Sequence, residues 1–326
     1  MNNSKKSLKL EKFLSKGFVL IMLVAVVILM TILSDRFFTL KNLVNIVNTS
    51  TMKGVIALGM TLCLICGEID LSVGSTVALS SVLTAFVTRE LSNTMSKDIA
   101  MIIGMVVAIL VAALIGAFHG TIRYYFPIPT FVITLSTQNI IYGAAALICK
   151  SMPISNVFPD WFYKITLTGA SGISWAIVIM FVLLIVLAIL LRKTDLGISI
   201  YAVGGNSEAA RLTGINVKKV TLFVMVAVQI TAALSGIVTA SFVRSGYFSY
   251  GRGWETLVIS SAVIGGASIT GGVGSIWGTI LGVLVTGVIS NGMTILNLNE
   301  YIQFICNGAL LFFAVLLNYI ISKRQA

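Results

Sequence analysis

The chain has 326 residues, of which 57% are hydrophobic and 10% are charged, and its formal net charge is +11. About one quarter of the residues of a soluble domain are charged, so this chain has too few charges to cover a water-exposed surface. A bilayer removes the need for a polar exterior, and the composition therefore predicts an all-α integral membrane protein. The excess of Lys and Arg requires no nucleic-acid partner, because loops facing anionic lipid attract these residues.

Apolar runs along the chain predict about ten membrane crossings, since a helix needs about 20 apolar residues to cross the hydrocarbon core. A shorter run at 54–67 crosses if Lys53 snorkels to the membrane surface. The run at 256–299 is long enough for two crossings. The other uncharged runs are 17–34, 71–88, 99–118, 124–149, 165–191, 220–243 and 301–322.

The domain organisation follows from these runs and from the basic residues. We expect one transmembrane domain over 17–322, between cytoplasmic tails at 1–16 and 323–326. Lys and Arg concentrate in the N-terminal tail and in the loop at 192–219, and such a bias indicates cytoplasmic segments. Ten crossings then place both termini in the cytoplasm and the loop at 150–171 outside.

The loop at 150–171 contains an aromatic cluster of Trp161, Phe162 and Tyr163. Trp and Tyr are enriched at membrane–water interfaces, so an interface belt is one interpretation. The other is a docking surface for an extracytoplasmic partner.

The sequence GEIDLSVGS, residues 67–75, places two acidic side chains between apolar stretches. Gly67 and Gly74 tolerate unusual backbone conformations, and the segment predicts a broken helix. Asp70 and Ser72 are strong N-cap types for the helix that follows. Alternatively the carboxylates face a water-filled path, because a charge at membrane depth is otherwise costly and broken helices line substrate paths in many transporters. The candidate substrate-pathway residues are Glu68, Asp70, Ser72 and Ser75.

A second interruption, GGASITGGVGS at 265–275, divides the long run at 256–299. Small residues let two membrane helices approach closely, so this segment predicts a glycine-rich turn with close helix packing. Its glycines are Gly265, Gly266, Gly271, Gly272 and Gly274.

Catalytic motifs are absent from the sequence. It contains no G-x-x-x-x-G-K-[ST] phosphate loop, no H-E-x-x-H and no G-x-S-x-G, so we expect no enzyme activity, no metal site and no cofactor in this chain. His119 is the one histidine. We expect it at a helix end, without the buried acidic partner that a proton relay would need.

The loop at 192–219 predicts a cytoplasmic helix of about two turns. Asn206 or Ser207 is a suitable N-cap, Glu208 suits the first turn, and Gly214 is placed for a C-cap. The residues between are good helix formers, namely Ala209, Ala210, Arg211 and Leu212. Such a helix either lies at the membrane interface or fits a groove on a partner protein.

Several segments resemble one protein family. Glu208-Ala209-Ala210 followed by Gly214 is similar to the "EAA…G" motif of ABC importer permeases, and YAVGGNSEAARLTGINV (201–217) resembles the corresponding loop of the bacterial ribose-type sugar permeases. GEIDLSVGS, PTFVITL (129–135) and the late glycine-rich turn resemble segments of the same branch, in the same order. The resemblance covers about residues 35–320. It departs at His119-Gly120, where an Asn-Gly pair is usual.

The resemblance implies a type II-like importer permease in the bacterial inner membrane, translocating a sugar or sugar-like solute. It implies a second permease copy or sibling, an extracytoplasmic sugar-binding protein, and a cytoplasmic ATPase, often tandem, that binds ATP and Mg. Residues 208–211 and 214 would then form the coupling helix that contacts the ATPase. Composition alone also permits a self-sufficient secondary transporter or channel for a small polar solute.

Overall fold

A computed structural model of the chain describes residues 2–166 and 174–325, and most of these residues are helical. The helices are α1 (Asn2–Leu33), α2 (Leu40–Ile65), α3 (Val73–Leu91), α4 (Lys97–Tyr125), α5 (Thr130–Ile148), α6 (Asp160–Tyr163), α7 (Trp175–Lys193), α8 (Asp195–Gly205), α9 (Ser207–Leu212), α10 (Val217–Val243), α11 (Trp254–Ile264), α12 (Ile276–Ile295) and α13 (Glu300–Gln325). Two short strands, β1 (Ile154–Ser155) and β2 (Ser245–Gly246), pair antiparallel. This ladder is a small addition to the predicted all-α fold.

Six of the described helices are long and apolar enough to cross a membrane: α2, α4, α5, α7, α10 and α12. Shorter apolar helical segments lie at Val19–Leu33, Trp254–Ile264 and Glu300–Leu316. The chain is therefore a helical integral membrane protein. The count of about ten crossings stays a prediction.

The predicted position of Lys53 at the end of a short span is wrong. Lys53 lies inside α2, which begins thirteen residues earlier at Leu40 and ends at Ile65. Its Nζ lies 5.7 Å from the centroid of the Trp254 ring. The polar residues before Lys53 hid the first half of α2 from a search for uncharged apolar runs, and two of them, Ser50 and Thr51, are buried in the protein.

The predicted run at 124–149 also has a different beginning in the structure. α4 continues to Tyr125, and α5 begins only at Thr130. Pro127 follows Phe126, whose backbone is extended (φ −122°, ψ 139°). The residue before a proline avoids the helical region, and this ends α4. Arg123 consequently lies on a helix and not in a loop.

The centre of the bundle is formed by α2 and α10. In α2, 78% of the most apolar 18-residue window is buried inside the protein, and in α10 the share is 67%. The corresponding shares in α4, α5 and α7 are 33%, 22% and 28%. The last three helices thus expose apolar faces suited to lipid. Glycines allow the helices to approach α10 closely: a Cβ at Gly116 of α4 would lie 2.5 Å from the Met225 carbonyl oxygen.

The predicted outer loop contains β1 and α6 as far as residue 166, and its residues 167–171 lie outside the described residues. Phe162 is fully buried, and the Ser241 hydroxyl donates to its carbonyl oxygen at 2.6 Å. The Trp161 indole donates to Asp98 at 2.7 Å and remains partly exposed. Phe162 therefore belongs to the protein core rather than to an interface belt.

Candidate functional site

Residues 66–72 connect α2 to α3 and carry the two acidic side chains predicted from sequence. α2 ends in a Schellman arrangement, in which the Gly67 N–H donates to the Leu64 carbonyl at 2.9 Å and the Glu68 N–H donates to the Cys63 carbonyl at 3.0 Å. Gly67 has φ +80°, in the left-handed region that favours glycine. This turn stops α2 and directs Glu68 and Asp70 to different sides of the connection.

Asp70 is completely buried and makes several hydrogen bonds. Its Oδ1 accepts from the Ser72 backbone N–H at 2.8 Å and from the Ser72 hydroxyl at 2.6 Å. Its Oδ2 accepts from the Gln229 Nε2 of α10 at 2.7 Å, and Gln229 in turn accepts from the Thr76 hydroxyl. Asp70 thus satisfies the start of α3 and joins it to the central helix α10.

His119 on α4 faces the same carboxylate. The side chain is fully buried, its Nδ1 lies 3.7 Å from Asp70 Oδ2, and its Nε2 lies 2.7 Å from the Thr137 hydroxyl of α5. The expectation that His119 has no buried acidic partner is therefore wrong. Forty-nine positions separate the two residues in the sequence, and only the packing of α4 against α3 brings them together.

Glu68 contacts different partners from those of Asp70. The Nε of Arg123 donates to both Glu68 oxygens, at 3.0 and 3.1 Å, and the Thr130 hydroxyl donates to one of them. The Glu68 side chain is 10% exposed and that of Arg123 is 38% exposed. This ion pair ties the α2–α3 connection to the end of α4 and the start of α5.

A cavity of about 400 Å³ opens beside Glu68. We call it the glycine-lined cavity, because Gly67, Gly204 and Gly205 form part of its wall together with Arg123 and Thr270. Of the candidate substrate-pathway residues only Glu68 lines it. Asp70, Ser72 and Ser75 are buried elsewhere, and the Ser75 hydroxyl donates to the Ser72 carbonyl at 2.7 Å. Their assignment to a substrate path stays a prediction.

The late glycine-rich turn lies against the end of α2. The Gly272 N–H donates to the Ile65 carbonyl at 2.8 Å, and a Cβ at Gly274 would lie 2.5 Å from the Ile65 side chain. Gly266, Gly271 and Gly272 have positive φ values of 92°, 88° and 75°.

Two further predicted glycines, Gly265 and Gly74, have no left-handed backbone but make close contacts. A Cβ at Gly265 would meet the Gly278 backbone of α12 at 2.5 Å, and one at Gly74 would meet Glu255 at 2.6 Å.

The short helix predicted in the loop at 192–219 is present as α9. Asn206 is its N-cap, with Oδ1 accepting from the Ala209 N–H at 2.9 Å. Gly214 has φ +88°, and the Gly214 and Ile215 N–H groups donate to the Arg211 and Ala210 carbonyls at 3.0 and 3.1 Å, closing a Schellman motif. The sequence did not predict α8, which precedes α9 within the same loop.

One face of α9 is exposed. Glu208 and Arg211 form an ion pair at 2.6 Å with both side chains about two-thirds exposed. The hydrogen bond from Arg211 holds the pKa of the Glu208 carboxyl below its usual value. Ala210 faces inward and is buried, whereas Leu212 is 74% exposed. α9 therefore presents charged and apolar side chains to the outside of the bundle.

A second cavity, of about 320 Å³, lies between α2, α11, α12 and α13. Sequence reasoning missed it. We call it the amide-lined cavity, after Asn45, Asn291, Gln303 and Asn307. The signal in the sequence was a polar stripe on α2, where Asn45, Thr49 and Lys53 recur every four residues and so share one helix face.

The two cavities lie near opposite ends of the buried helix α2, in a bundle whose outer helices expose apolar faces. This arrangement defines a multi-pass membrane protein of the transport class. Residues 42–315 match the family described as branched-chain amino acid transport system / permease component, and the chain belongs to this family.

Named relatives cover nearly the whole chain. It is 36% identical over 328 residues to the probable ABC transporter permease protein YphD of Escherichia coli K12, covering 98% of this chain and 96% of the relative. It is 30% identical to the ribose import permease protein RbsC of Haemophilus influenzae, covering 99% of both chains. It is 32% identical to the L-arabinose transport system permease protein AraH of E. coli K12, covering 89% and 86%. No solved structure matches the chain significantly.

Proposed function

We propose that the chain is the membrane-spanning permease subunit of an ATP-binding cassette importer that carries a sugar or sugar-like solute into the cell. The main support for this proposal is the similarity, over most of the chain, to permeases named for ribose and for L-arabinose. The family description names branched-chain amino acids. The relatives named for ribose and L-arabinose are matched over 99% and 89% of this chain, and we therefore favour sugars.

The proposed topology has about ten crossings of a type II-like permease in the inner membrane, with both termini in the cytoplasm. Two observations support the orientation. The end of α2, the turn at 265–275 and α9 all lie at one end of the bundle, where Gly271 contacts the Gly204 backbone. The basic loop at 192–219 contains α9. Lys and Arg favour the cytoplasmic side, so this end is the cytoplasmic one and the amide-lined cavity faces outward.

In this proposal α9 is the coupling helix, with Glu208, Ala209, Ala210, Arg211 and Gly214 forming the element that a cytoplasmic ATPase contacts. A short, exposed, well-capped helix suits insertion into a groove. Its neighbour α8 ends at Gly204 and Gly205, which contact the glycine-rich turn and lie close to Gly67. A displacement of α9 would therefore be transmitted to the connection between α2 and α3 by these backbone contacts.

The other subunits of the importer would be separate chains. The ATPase, often tandem in the branch that this chain resembles, would bind ATP and Mg, and this chain would bind neither. A second copy or a sibling permease would complete the membrane core, and an extracytoplasmic binding protein would deliver the sugar. The broken helix at 67–75 would be the part of this chain that changes conformation with the ATPase.

The test is uptake of radiolabelled ribose and arabinose in cells that express the chain, with and without the partner ATPase. We expect uptake only when the ATPase is present, and uptake that stops with an ATPase variant unable to hydrolyse ATP. Equal uptake without any ATPase would instead favour the self-sufficient transporter or channel and would refute the importer.

A further inference from the structure

The amide-lined cavity has the size and position of a solute site. Its volume of about 320 Å³ lies at the lower end of the range of about 300–1,000 Å³ for small-molecule sites. Lys53 in its wall is twelve residues before the end of α2, or about 18 Å along the helix. The cavity therefore reaches the middle of α2, opens beside the exposed residues Asn45 and Glu300, and is separate from the glycine-lined cavity.

The chemistry of the wall is that of a neutral, hydroxyl-rich ligand. Side-chain amides contribute both donors and acceptors, and Asn45, Asn291, Gln303 and Asn307 contribute them from three helices. A sugar hydroxyl also both donates and accepts, so an amide matches it whichever way the hydroxyl points. Charged side chains of both signs also line the wall: Lys53 and Arg252 disfavour a cationic ligand, and Glu300 disfavours an anionic one.

Two buried oxygens in this wall make no hydrogen bond within the described part of the chain. They are the Ser50 hydroxyl and the Asn307 side-chain oxygen, and Ser50 is only 4% exposed. A buried polar atom without a partner is costly, and a protein interior rarely keeps one without a reason. Both residues line the cavity, where a bound hydroxyl would satisfy them.

Trp254 adds an apolar surface to the same wall. It begins α11 directly after Gly253, whose φ is +78°, and its ring is only partly buried. An aromatic ring offers a flat apolar face, which matches the C–H face of a sugar ring. The cavity thus combines hydrogen-bonding amides with a stacking surface.

We propose that the amide-lined cavity is the site that holds the sugar inside this subunit during translocation, with Ser50 and Asn307 bonding its hydroxyls and Trp254 packing on its ring. This inference rests on the proposed importer function. It assigns solute contact to a different place from Asp70 and Ser72, whose polar atoms already bond to one another and to Gln229.

The test removes the two unpartnered atoms. Ser50→Ala removes one hydroxyl, and Asn307→Leu removes one amide, whose oxygens have no partner among the described residues, so we expect normal protein levels and normal ATPase copurification. Labelled-sugar uptake should fall about tenfold in the double variant, because each lost hydrogen bond to the ligand weakens binding several-fold. The matched control is Thr51→Ala, which removes a neighbouring buried hydroxyl bonded to the Val47 carbonyl and should leave uptake unchanged.

A second measurement applies if the double variant is poorly expressed. Asn45→Cys, made together with Cys306→Ala because Cys306 is the partly exposed cysteine of the described residues, introduces a thiol at an exposed position of the cavity wall. A membrane-impermeant maleimide applied from outside should label it, and saturating transported sugar should slow labelling at least several-fold.

The outcomes separate the two proposals. If the parental chain shows ATPase-dependent sugar uptake but the double variant keeps it within twofold, or if sugar leaves the Asn45→Cys labelling rate unchanged, the cavity assignment is wrong and the importer stands. If the parental chain shows no ATPase-dependent sugar uptake, the importer and the sugar site fail together.

Discussion

Asp70→Asn should destabilise the protein rather than merely block transport. The carboxylate accepts three hydrogen bonds, two at Oδ1 from Ser72 and one at Oδ2 from Gln229. An asparagine that keeps its oxygen toward the Ser72 N–H places its own NH₂ against the NH₂ of Gln229. Two buried donors then face each other, and a lost, unsatisfied hydrogen bond costs about 1–3 kcal/mol.

A compensating substitution makes this prediction sharper. In Asp70→Asn with Gln229→Glu, the new carboxylate accepts from the asparagine NH₂ and from the Thr76 hydroxyl. The Ser72 hydroxyl, which accepts from Gln229 Nε2 in the parental chain, then has to turn its proton toward the new carboxylate. We expect the double variant to recover most of the lost thermal stability. Thr84→Val is the matched control on α3, because its buried hydroxyl bonds only to the Ser80 carbonyl of its own helix.

The assay is the melting temperature of the detergent-purified permease, together with its abundance in the membrane. We expect a drop of several degrees for Asp70→Asn, a small drop for Thr84→Val, and recovery in the double variant. An Asp70→Asn protein with unchanged melting temperature and abundance, but without transport, would refute a structural role and would favour direct contact between Asp70 and the solute.

Two further predictions concern the end of the bundle that contains Gly204 and α9. Gly204→Ala places a Cβ into the Ile65 carbonyl oxygen, whereas nothing lies within 4 Å of a Cβ at Gly205. Because overpacking of this kind costs about 1–3 kcal/mol, membrane abundance should fall for Gly204→Ala and not for the control Gly205→Ala. Equal abundance of the two variants would contradict the packing. Gly214→Val forces a branched residue into φ +88°, and Glu208→Gln removes the Arg211 ion pair. We expect both to reduce copurification with the ATPase while the melting temperature of the bundle changes little. Unchanged copurification in both would show that α9 is not the coupling helix.

Local features were the ones that the sequence predicted well. The start of α9 at Asn206 and its end at Gly214 depend on neighbouring residues, and capping preferences are strong at both positions. The left-handed glycine at the end of α2 is likewise a local signal. The boundary between α4 and α5 was also local, at Pro127 and Pro129, but the uncharged run concealed it.

Features that depend on contacts between distant helices were not predictable in the same way. The pairing of His119 with Asp70 joins α4 to the α2–α3 connection. The amide-lined cavity brings Asn45 of α2 together with Asn307 of α13. A polar stripe on one helix indicates a face that avoids lipid, but the sequence does not show whether that face meets a loop, another helix or a cavity. The position of Lys53 inside α2 was mispredicted for this reason.

The most direct test of the central claim is reconstitution of the chain with its partner ATPase and binding protein in liposomes, with uptake of radiolabelled ribose measured against a concentration gradient. The importer account predicts accumulation above the external concentration that requires ATP hydrolysis and the binding protein. Accumulation, or rapid equilibration, of the sugar in liposomes that contain this chain alone would contradict it.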